Sequence, residues 1–290
     1  MSDAAEARIL RAITSGRKPR VLYHYTSGAG LIGIVETEAI WATNIRFLND
    51  STEFSFALNL AQQLVEERQN SATNQFDNAL YTVLRERLSG TQDFDVYVSS
   101  FTESGDQLSQ WRAYCPASGG YALGFSSKGL LSARPPLQGA ALVRCVYDRD
   151  DQQEIISKVF KSVTDFAEEK RHAGLSHDRV FRESFKQLGR LLALVAPALK
   201  HPSFAEEREW RLVVPEGSFA QDEDTLHFRE GRSTLVPFHA YSFAYMPLER
   251  LMIGPTPHPD LARDVVQSLL AAKGLSATTI RVSSIPNRTW

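Results

Sequence analysis

The sequence is poor in cysteine, nearly neutral overall and without a long apolar run. Only two cysteines, Cys115 and Cys145, occur among 290 residues, too few for a disulfide framework and typical of a reducing cytoplasm. Lys and Arg total 32 against 34 Asp and Glu, a net charge of −2, which gives no electrostatic reason to expect nucleic acid or membrane as a partner. The longest apolar stretch, Leu191 to Leu199, is too short to cross a bilayer. We therefore predict a cytoplasmic protein that does not associate with membranes.

Familiar catalytic motifs are also absent. The sequence contains no G-x-S-x-G elbow, no P-loop, no H-E-x-x-H helix and no paired C-x-x-C. Residues 28–33 match G-x-G-x-x-G at the end of a predicted strand, but this short motif is weak without its βαβ context. The spacing of His24, His227 and His239 does not indicate a metal site. We expect no bound metal.

Composition and pattern indicate one α+β domain over residues 1–290. Hydrophobic residues make up 43% and charged residues 23% of the chain, as in ordinary globular domains. Predicted strands and helices follow one another without repeats, low-complexity segments or a clear linker. Two helices with apolar spacing are predicted from about 151 to 200, broken near Ala173, and they resemble a helical insertion into a mixed or antiparallel sheet.

A predicted strand over 22–26 leads through a glycine-rich turn into a helix. Alternation places His24 and Thr26 on one face of this strand and Tyr23 and Tyr25 on the other. The helix start next to them offers free N–H groups and partial positive charge, which suit an anionic ligand. The alternative interpretation is a hydrogen-bonded structural histidine followed by Thr26 as the helix N-cap.

A second informative strand is predicted from Glu207 onward. Here Glu207, Glu209 and Arg211 share one face, while Trp210 and Leu212 supply the core face. Carboxylates held side by side have perturbed pKa values, which are common at functional sites. The alternative is a solvated strand face with cross-paired charges that contribute little energy.

Other residues have a simpler structural explanation. Trp41 and Trp111 lie in apolar stretches, and we expect both to be core anchors because tryptophan buries a large area. Ser99 and Ser100 lie on a strand predicted to end at Thr102. Either serine is a candidate nucleophile, with His24 as its general base. However, no strained turn marks either serine as a nucleophile.

Several landmarks together resemble a known family, the bacterial domain of unknown function 2971. The resemblance extends from residue 22 to residue 255. Its landmarks are Tyr23-His24-Tyr25-Thr26-Ser27 with Gly30-Leu31 and Gly33-Ile34, Ile40-Trp41-Ala42-Thr43, Leu48-Asn49-Asp50 with Glu53-Phe54, Ser100-Phe101-Thr102-Glu103, Trp111 with Tyr114, Gly120 to Phe125, Lys200 through Phe204 to Glu207, Glu209-Trp210-Arg211-Leu212, and Ile253-Gly254-Pro255.

The motif order is also similar to that of the ADP-ribosyltransferase superfamily. The matching positions are His24 with Thr26, the segment 99–102, and Glu207-x-Glu209. The resemblance implies a split sheet and NAD as substrate, with His24 bonded to the nicotinamide ribose and Glu209 stabilising the oxocarbenium-like state.

Further roles are implied only by this second resemblance. Ser100 would brace the catalytic glutamate, Glu209 or Glu207, and Tyr121 or Trp111 would stack on nicotinamide. The other NAD-binding candidates are Tyr25, Thr26, Thr43, Ser99, Tyr114 and Arg211.

The sequence thus predicts an NAD-binding ADP-ribosyltransferase or NAD glycohydrolase, as a toxin or phage-defence effector. One alternative is a hydrolase of nucleotides or nucleic acids, such as a nuclease, that uses His24 and the glutamate pair. Another is a non-catalytic module that binds a nucleotide or a partner protein. The sequence leaves open the oligomeric state and the acceptor of ADP-ribose, a protein or a nucleic acid.

Overall fold

A computed structural model describes residues 9, 13, 18–48, 52–88, 96–116, 119–219, 226–231 and 233–286. Asn49 and Asp50 of the third landmark lie outside these residues. The chain forms two compact units. Of the described residues, those within 1–15, 44–97 and 143–205 form a helical unit, and those within 16–43, 98–142 and 206–290 form a sheet unit. That the whole chain is one domain stays a prediction.

The described part of the chain contains seven α-helices. They are α1 (Gly28–Thr37), α2 (Thr52–Asn70), α3 (Gln75–Leu88), α4 (Leu108–Tyr114), α5 (Arg149–His172), α6 (His177–Val195) and α7 (Pro259–Ala272). None of the described helices combines the length and apolar character that crossing a membrane requires.

In the residues that the structure describes, ten strands form one sheet. They are β1 (Val21–Thr26), β2 (Ala39–Asn44), β3 (Val96–Thr102), β4 (Tyr121–Ser126), β5 (Ala141–Arg144), β6 (Glu209–Pro215), β7 (Leu226–Glu230), β8 (Leu235–Ser242), β9 (Leu248–Ile253) and β10 (Thr279–Val282).

The sheet is open and mixed. Its main order is β10-β9-β4-β1-β3-β2-β8-β7, while β6 pairs with both β3 and β5. β9 and β10 are parallel, whereas β1 is antiparallel to β3 and β4, and β2 is antiparallel to β8. The predicted α+β class with a mixed sheet is therefore confirmed.

The helical unit is built around α5 and α6, the two helices that the sequence predicts in the insertion. Asp148 caps α5 by accepting hydrogen bonds from the N–H groups of Asp150 and Asp151, each at 3.0 Å. After α5 ends, Gly174 adopts a φ of 81°, a left-handed conformation that glycine tolerates best. The predicted break between the two helices therefore lies at this glycine.

In the sheet unit, β1 packs tightly against its neighbours through Tyr23. A Cβ atom at Gly105 or Gly124 would lie within 3 Å of the Tyr23 ring, so glycine at both positions lets this ring fit. Tyr23 belongs to a core cluster with Val21, Tyr25, Trp111 and Ala122. One face of β1 is thus fixed in the core, which orients the residues on the other face.

Candidate functional site

His24 lies on β1, and its ring is held in one orientation. Nδ1 is 3.0 Å from the backbone carbonyl oxygen of Ser100 on β3. A carbonyl only accepts, so Nδ1 carries the proton and Nε2 is an acceptor. Burial lowers the pKa of His24, against a smaller raising effect of the hydrogen bond to Ser100. The imidazole is therefore neutral at physiological pH.

The turn after β1 is capped by Ser27 and not by Thr26. The Ser27 hydroxyl accepts a hydrogen bond from the Gly30 N–H at 3.1 Å, and it satisfies a free donor at the start of α1. Thr26 lies opposite Tyr121 in the β1–β4 pairing, and the Tyr121 ring is 3.7 Å from the position of a Cβ on Gly28. The start of α1 is therefore flanked by Thr26 and Tyr121, two predicted site residues.

Tyr25 and Trp111 are core residues. The Tyr25 hydroxyl donates to the Ser104 carbonyl and accepts from the Gln107 N–H, both at 3.0 Å, and burial raises its pKa. The Trp111 ring packs edge-on against Tyr25 at 4.5 Å, and its indole N–H donates to Asp106 at 2.8 Å. Trp111 is therefore the core anchor that the sequence predicts.

The acidic strand begins at Glu209 and not at Glu207. Arg208 has a φ of 43°, so the chain turns between the two glutamates and the predicted alternation fails there. Glu209 and Arg211 are 5% and 2% exposed, so neither face of β6 is the solvated face of the alternative interpretation. The Arg211 guanidinium donates to both Glu209 carboxylate oxygens, Nε to Oε1 at 2.8 Å and Nη2 to Oε2 at 3.0 Å.

Glu207 lies just before the strand and is only partly buried. Its carboxylate Oε1 accepts a hydrogen bond from the Tyr114 hydroxyl at 3.3 Å. Its backbone carbonyl accepts from the Thr102 hydroxyl at 2.6 Å. The neighbouring Glu206 carbonyl accepts from the Gln107 side chain at 3.1 Å. These bonds tie the segment before β6 to the end of β3 and to α4.

The predicted residues fall into small groups along adjacent strands. β3 pairs with β1 and with β6, so it connects the strand of His24 with that of Glu209. Ser99 donates from its hydroxyl to the Trp41 carbonyl at 2.8 Å, which links β3 to β2. Thr43 is buried on β2, opposite Phe238 of β8.

Sequence reasoning missed an open pocket of about 650 Å³ beside α4. Its lining consists of Gln107, Leu108, Ser109, Arg112, Ala113 and Glu206, none of which is a predicted site residue. Arg112 lies between two aromatic residues of a short helix, and helical spacing turns it away from them. The position of Arg112 on the helix, away from these aromatic residues, was the one signal in the sequence for a polar residue at the pocket.

Sequence reasoning also missed Trp41, which is 50% exposed instead of buried. β2 pairs with β8 so that Trp41 lies opposite Ala240, a residue too small to cover an indole.

Among the described residues, no three His, Cys, Asp or Glu side chains are grouped so that they could hold a metal ion.

Comparison with known proteins finds one family. No curated protein and no solved structure matches the chain. The profile of a family described as "Protein of unknown function (DUF2971)" matches residues 110–212. The matched segment includes Trp111, Tyr114, Tyr121, Glu209 and Arg211. This match confirms the predicted resemblance to the domain of unknown function 2971 family over residues 110–212, and the resemblance predicted for the rest of residues 22–255 stays a prediction.

Proposed function

We propose that the chain is an NAD-consuming enzyme of the ADP-ribosyltransferase type, with a split sheet, that transfers ADP-ribose or hydrolyses NAD. The observation that carries the proposal is the hydrogen bond of 3.0 Å from His24 Nδ1 to the Ser100 carbonyl. It fixes a neutral imidazole with Nε2 as an acceptor, next to the start of a helix. A ribose hydroxyl is the kind of donor that such a nitrogen accepts.

The start of α1 supports a nucleotide as the ligand. Free N–H groups and the helix dipole favour negative charge there. Thr26 and Tyr121 flank this position, and Tyr121 is partly exposed, so its ring is the candidate to stack on nicotinamide. Three other candidates are buried and in this proposal support the site without touching the substrate: Tyr25, Trp111 and Thr43.

The reaction requires a carboxylate near the anomeric carbon. Breaking the N-glycosidic bond of NAD builds positive charge on the ribose, and a fixed negative charge lowers that barrier. Nicotinamide leaves with the bonding electron pair, and an acceptor nucleophile or water forms the new bond to the ribose.

Of the two glutamates, Glu207 is the more accessible, and we propose that substrate binding brings it to the ribose, since its bond to Thr102 lies on the Tyr23 face of β1 and His24 lies on the other face. Its carboxylate is partly exposed and accepts the hydroxyl of Tyr114, whereas both oxygens of Glu209 already accept from Arg211. A guanidinium bound to both oxygens offsets much of the carboxylate charge. We assign Glu209 and Arg211 the role of holding β6 in place beside Glu207.

The experiment is release of nicotinamide from NAD by the purified full chain. We expect release by the wild type, a loss of at least about 100-fold in Glu207→Gln and in His24→Gln, and little change in the control Glu206→Gln. Glu206 is the matched control because it is the exposed neighbouring carboxylate, and its backbone carbonyl is the group that accepts from the Gln107 side chain.

Two results would replace the proposal. Cleavage of RNA, DNA or free nucleotides without nicotinamide release would indicate the hydrolase. Saturable binding of NAD with no turnover, unaffected by Glu207→Gln, would indicate a binding module. Loss of activity in Glu209→Gln alone, in a protein that stays folded, would move the catalytic role to Glu209.

A further inference from the structure

The chain after β10 forms a short strap beside the start of α4. We call Ser283, Ser284, Ile285 and Pro286 the strap. The Ser283 hydroxyl donates to Asp106 Oδ1 at 2.6 Å, and the Ser284 N–H donates to Asp106 Oδ2 at 3.4 Å. The Ser283 hydroxyl also accepts from the Ile285 N–H at 3.1 Å. One carboxylate, two residues before α4, therefore binds both serines of the strap.

The same carboxylate also holds α4. Asp106 Oδ1 accepts a hydrogen bond from the Trp111 indole N–H at 2.8 Å, and Trp111 is buried in the middle of α4. Ile285 packs against the core cluster to which Trp111 belongs. The strap and α4 are therefore joined by a polar contact at Asp106 and by an apolar contact at Ile285.

α4 connects the strap with the segment that carries Glu207. Directly before α4, the Gln107 side-chain amide donates to the Glu206 carbonyl at 3.1 Å. At the last residue of α4, the Tyr114 hydroxyl donates to Glu207 Oε1 at 3.3 Å. A movement of α4 would disturb both contacts, and with them the position of the carboxylate that the proposed reaction uses.

The strap follows a short strand at the edge of the described sheet. β10 has four residues, and it pairs with β9 at the end of the strand order. Two residues of β10, Thr279 and Arg281, and two residues of the strap, Ser284 and Pro286, are exposed. Segments that bury few apolar side chains open locally at a low free energy. The strap can therefore detach while the rest of the sheet unit stays folded.

We propose that the strap is a conformational switch that controls the position of Glu207. When the strap is attached, it holds α4 against the core cluster, and α4 keeps the Tyr114 hydroxyl on the Glu207 carboxylate. When the strap detaches, α4 moves away from the core cluster, Glu207 loses this partner, and nicotinamide release decreases. The attachment of α4 by the strap stands on its own contacts, whereas the effect on turnover rests on the proposed function.

Cys115, the residue after α4, reports whether α4 is held in place. Cys115 is partly buried and packs against the same core cluster as Ile285, and its Sγ lies 3.5 Å from the Thr26 carbonyl oxygen. The test is the rate of iodoacetamide labelling at Cys115 in the native full chain carrying Cys145→Ala. Deuterium exchange of the α4 amide groups, followed by mass spectrometry, is a second measurement that requires no NAD.

Ile285→Asp should detach the strap, because an ionised carboxylate is unfavourable against an apolar cluster. We expect Cys115 labelling at least about 100-fold faster than in the wild type, with faster exchange of the α4 amide groups. Ser283→Ala removes a hydrogen bond to a charged group and should accelerate labelling about 10-fold. Ile285→Leu keeps the apolar contact and should stay within about 3-fold of the wild type.

The matched control is Ser284→Asp. It adds the same charge one residue earlier, at an exposed position, and the bond from Ser284 to Asp106 comes from the backbone N–H. Labelling should stay within about 3-fold of the wild type. Urea denaturation gives the global stability of each variant, and labelling faster than global unfolding allows shows local opening. Nicotinamide release should be at least about 10-fold slower in Ile285→Asp and unchanged in Ser284→Asp.

Three outcomes would overturn the switch. They are equal labelling of Cys115 in the wild type and in folded Ile285→Asp, equal acceleration by Ser284→Asp, and accelerated labelling of Ile285→Asp with nicotinamide release at the wild-type rate. If Ile285→Asp does not fold, Ser283→Ala decides between the same outcomes. A wild type that releases no nicotinamide would reject the NAD reaction, and accelerated labelling of Ile285→Asp would then still show that the strap holds α4.

Discussion

The Arg211 guanidinium contacts both carboxylate oxygens of Glu209, two residues earlier on the same strand. Both side chains are almost fully buried, so neither charge is solvated by water. In such a pair each charge helps to offset the desolvation penalty of the other. The two side chains therefore depend on each other, and replacing either one removes a charge that stabilises the other.

Glu209→Gln and Arg211→Met should each destabilise the protein by about 3 kcal/mol, because each removes a charge that offsets the desolvation of a buried opposite charge. Urea denaturation, followed by far-UV circular dichroism, measures this. The double variant should be destabilised by less than the sum of the two. Additive losses, or a stable Glu209→Gln protein, would show that the carboxylate and guanidinium do not depend on each other.

The lowered pKa of His24 predicts a pH dependence of stability. Because burial holds its folded pKa below about 6.5, the usual value that the unfolded chain retains, the unfolded chain binds the proton first as pH falls. Stability should thus decrease below about pH 6.5 by up to about 1.4 kcal/mol per pH unit from this group. The His24→Gln variant should lack this part of the slope in urea titrations from pH 5 to 8, and identical slopes would contradict it.

Gly30→Ala should be destabilising because its Cβ would collide with the Thr26 hydroxyl. Overpacking is unfavourable by about 1–3 kcal/mol, whereas alanine in a helix gains only about 1 kcal/mol over glycine. Adding Thr26→Ala removes the hydroxyl, and the double variant should then be more stable than Thr26→Ala alone. Thermal melts of the wild type, the two single variants and the double variant measure these differences in stability. If Thr26→Ala does not reduce the destabilisation caused by Gly30→Ala, the Thr26 hydroxyl is not the cause of the steric clash.

The Cys115 thiol should be unreactive at neutral pH. Burial raises its pKa to about 11, so almost none is thiolate, the nucleophilic form. Labelling with iodoacetamide at pH 7 should be far slower in the native protein than in urea. Rapid native labelling, located at residue 115 by peptide mapping, would contradict this burial. Cys115 is partly buried and Cys145 is buried, and a Cys145→Ala protein makes the measurement specific to Cys115.

Local patterns predicted much of the fold. The strand at 22–26 and the helix pair of the insertion follow from alternation and helical spacing, which act over a few residues. The strand of Glu209 was only partly predicted, because the left-handed φ of Arg208 interrupts an alternation that sequence alone shows as continuous.

Burial of individual side chains was harder to predict, because it depends on distant segments. Trp41 and Trp111 lie in similar apolar surroundings in the sequence, yet one is half-exposed and the other is buried. The difference comes from their partners, since Ala240 leaves the first uncovered while Tyr25 and Asp106 enclose the second. Likewise, nothing near Glu209 in sequence shows that β6 is covered on both sides.

The three-way pairing of β3 has a consequence for how the sheet unit unfolds. β3 pairs with β1, β2 and β6, so a slip of one residue would turn Phe101 outward and break three ladders together. No intermediate register can satisfy one neighbour without losing the others. This strand should therefore open only when the entire sheet unit does, and its amide protons should be among the slowest to exchange with deuterium.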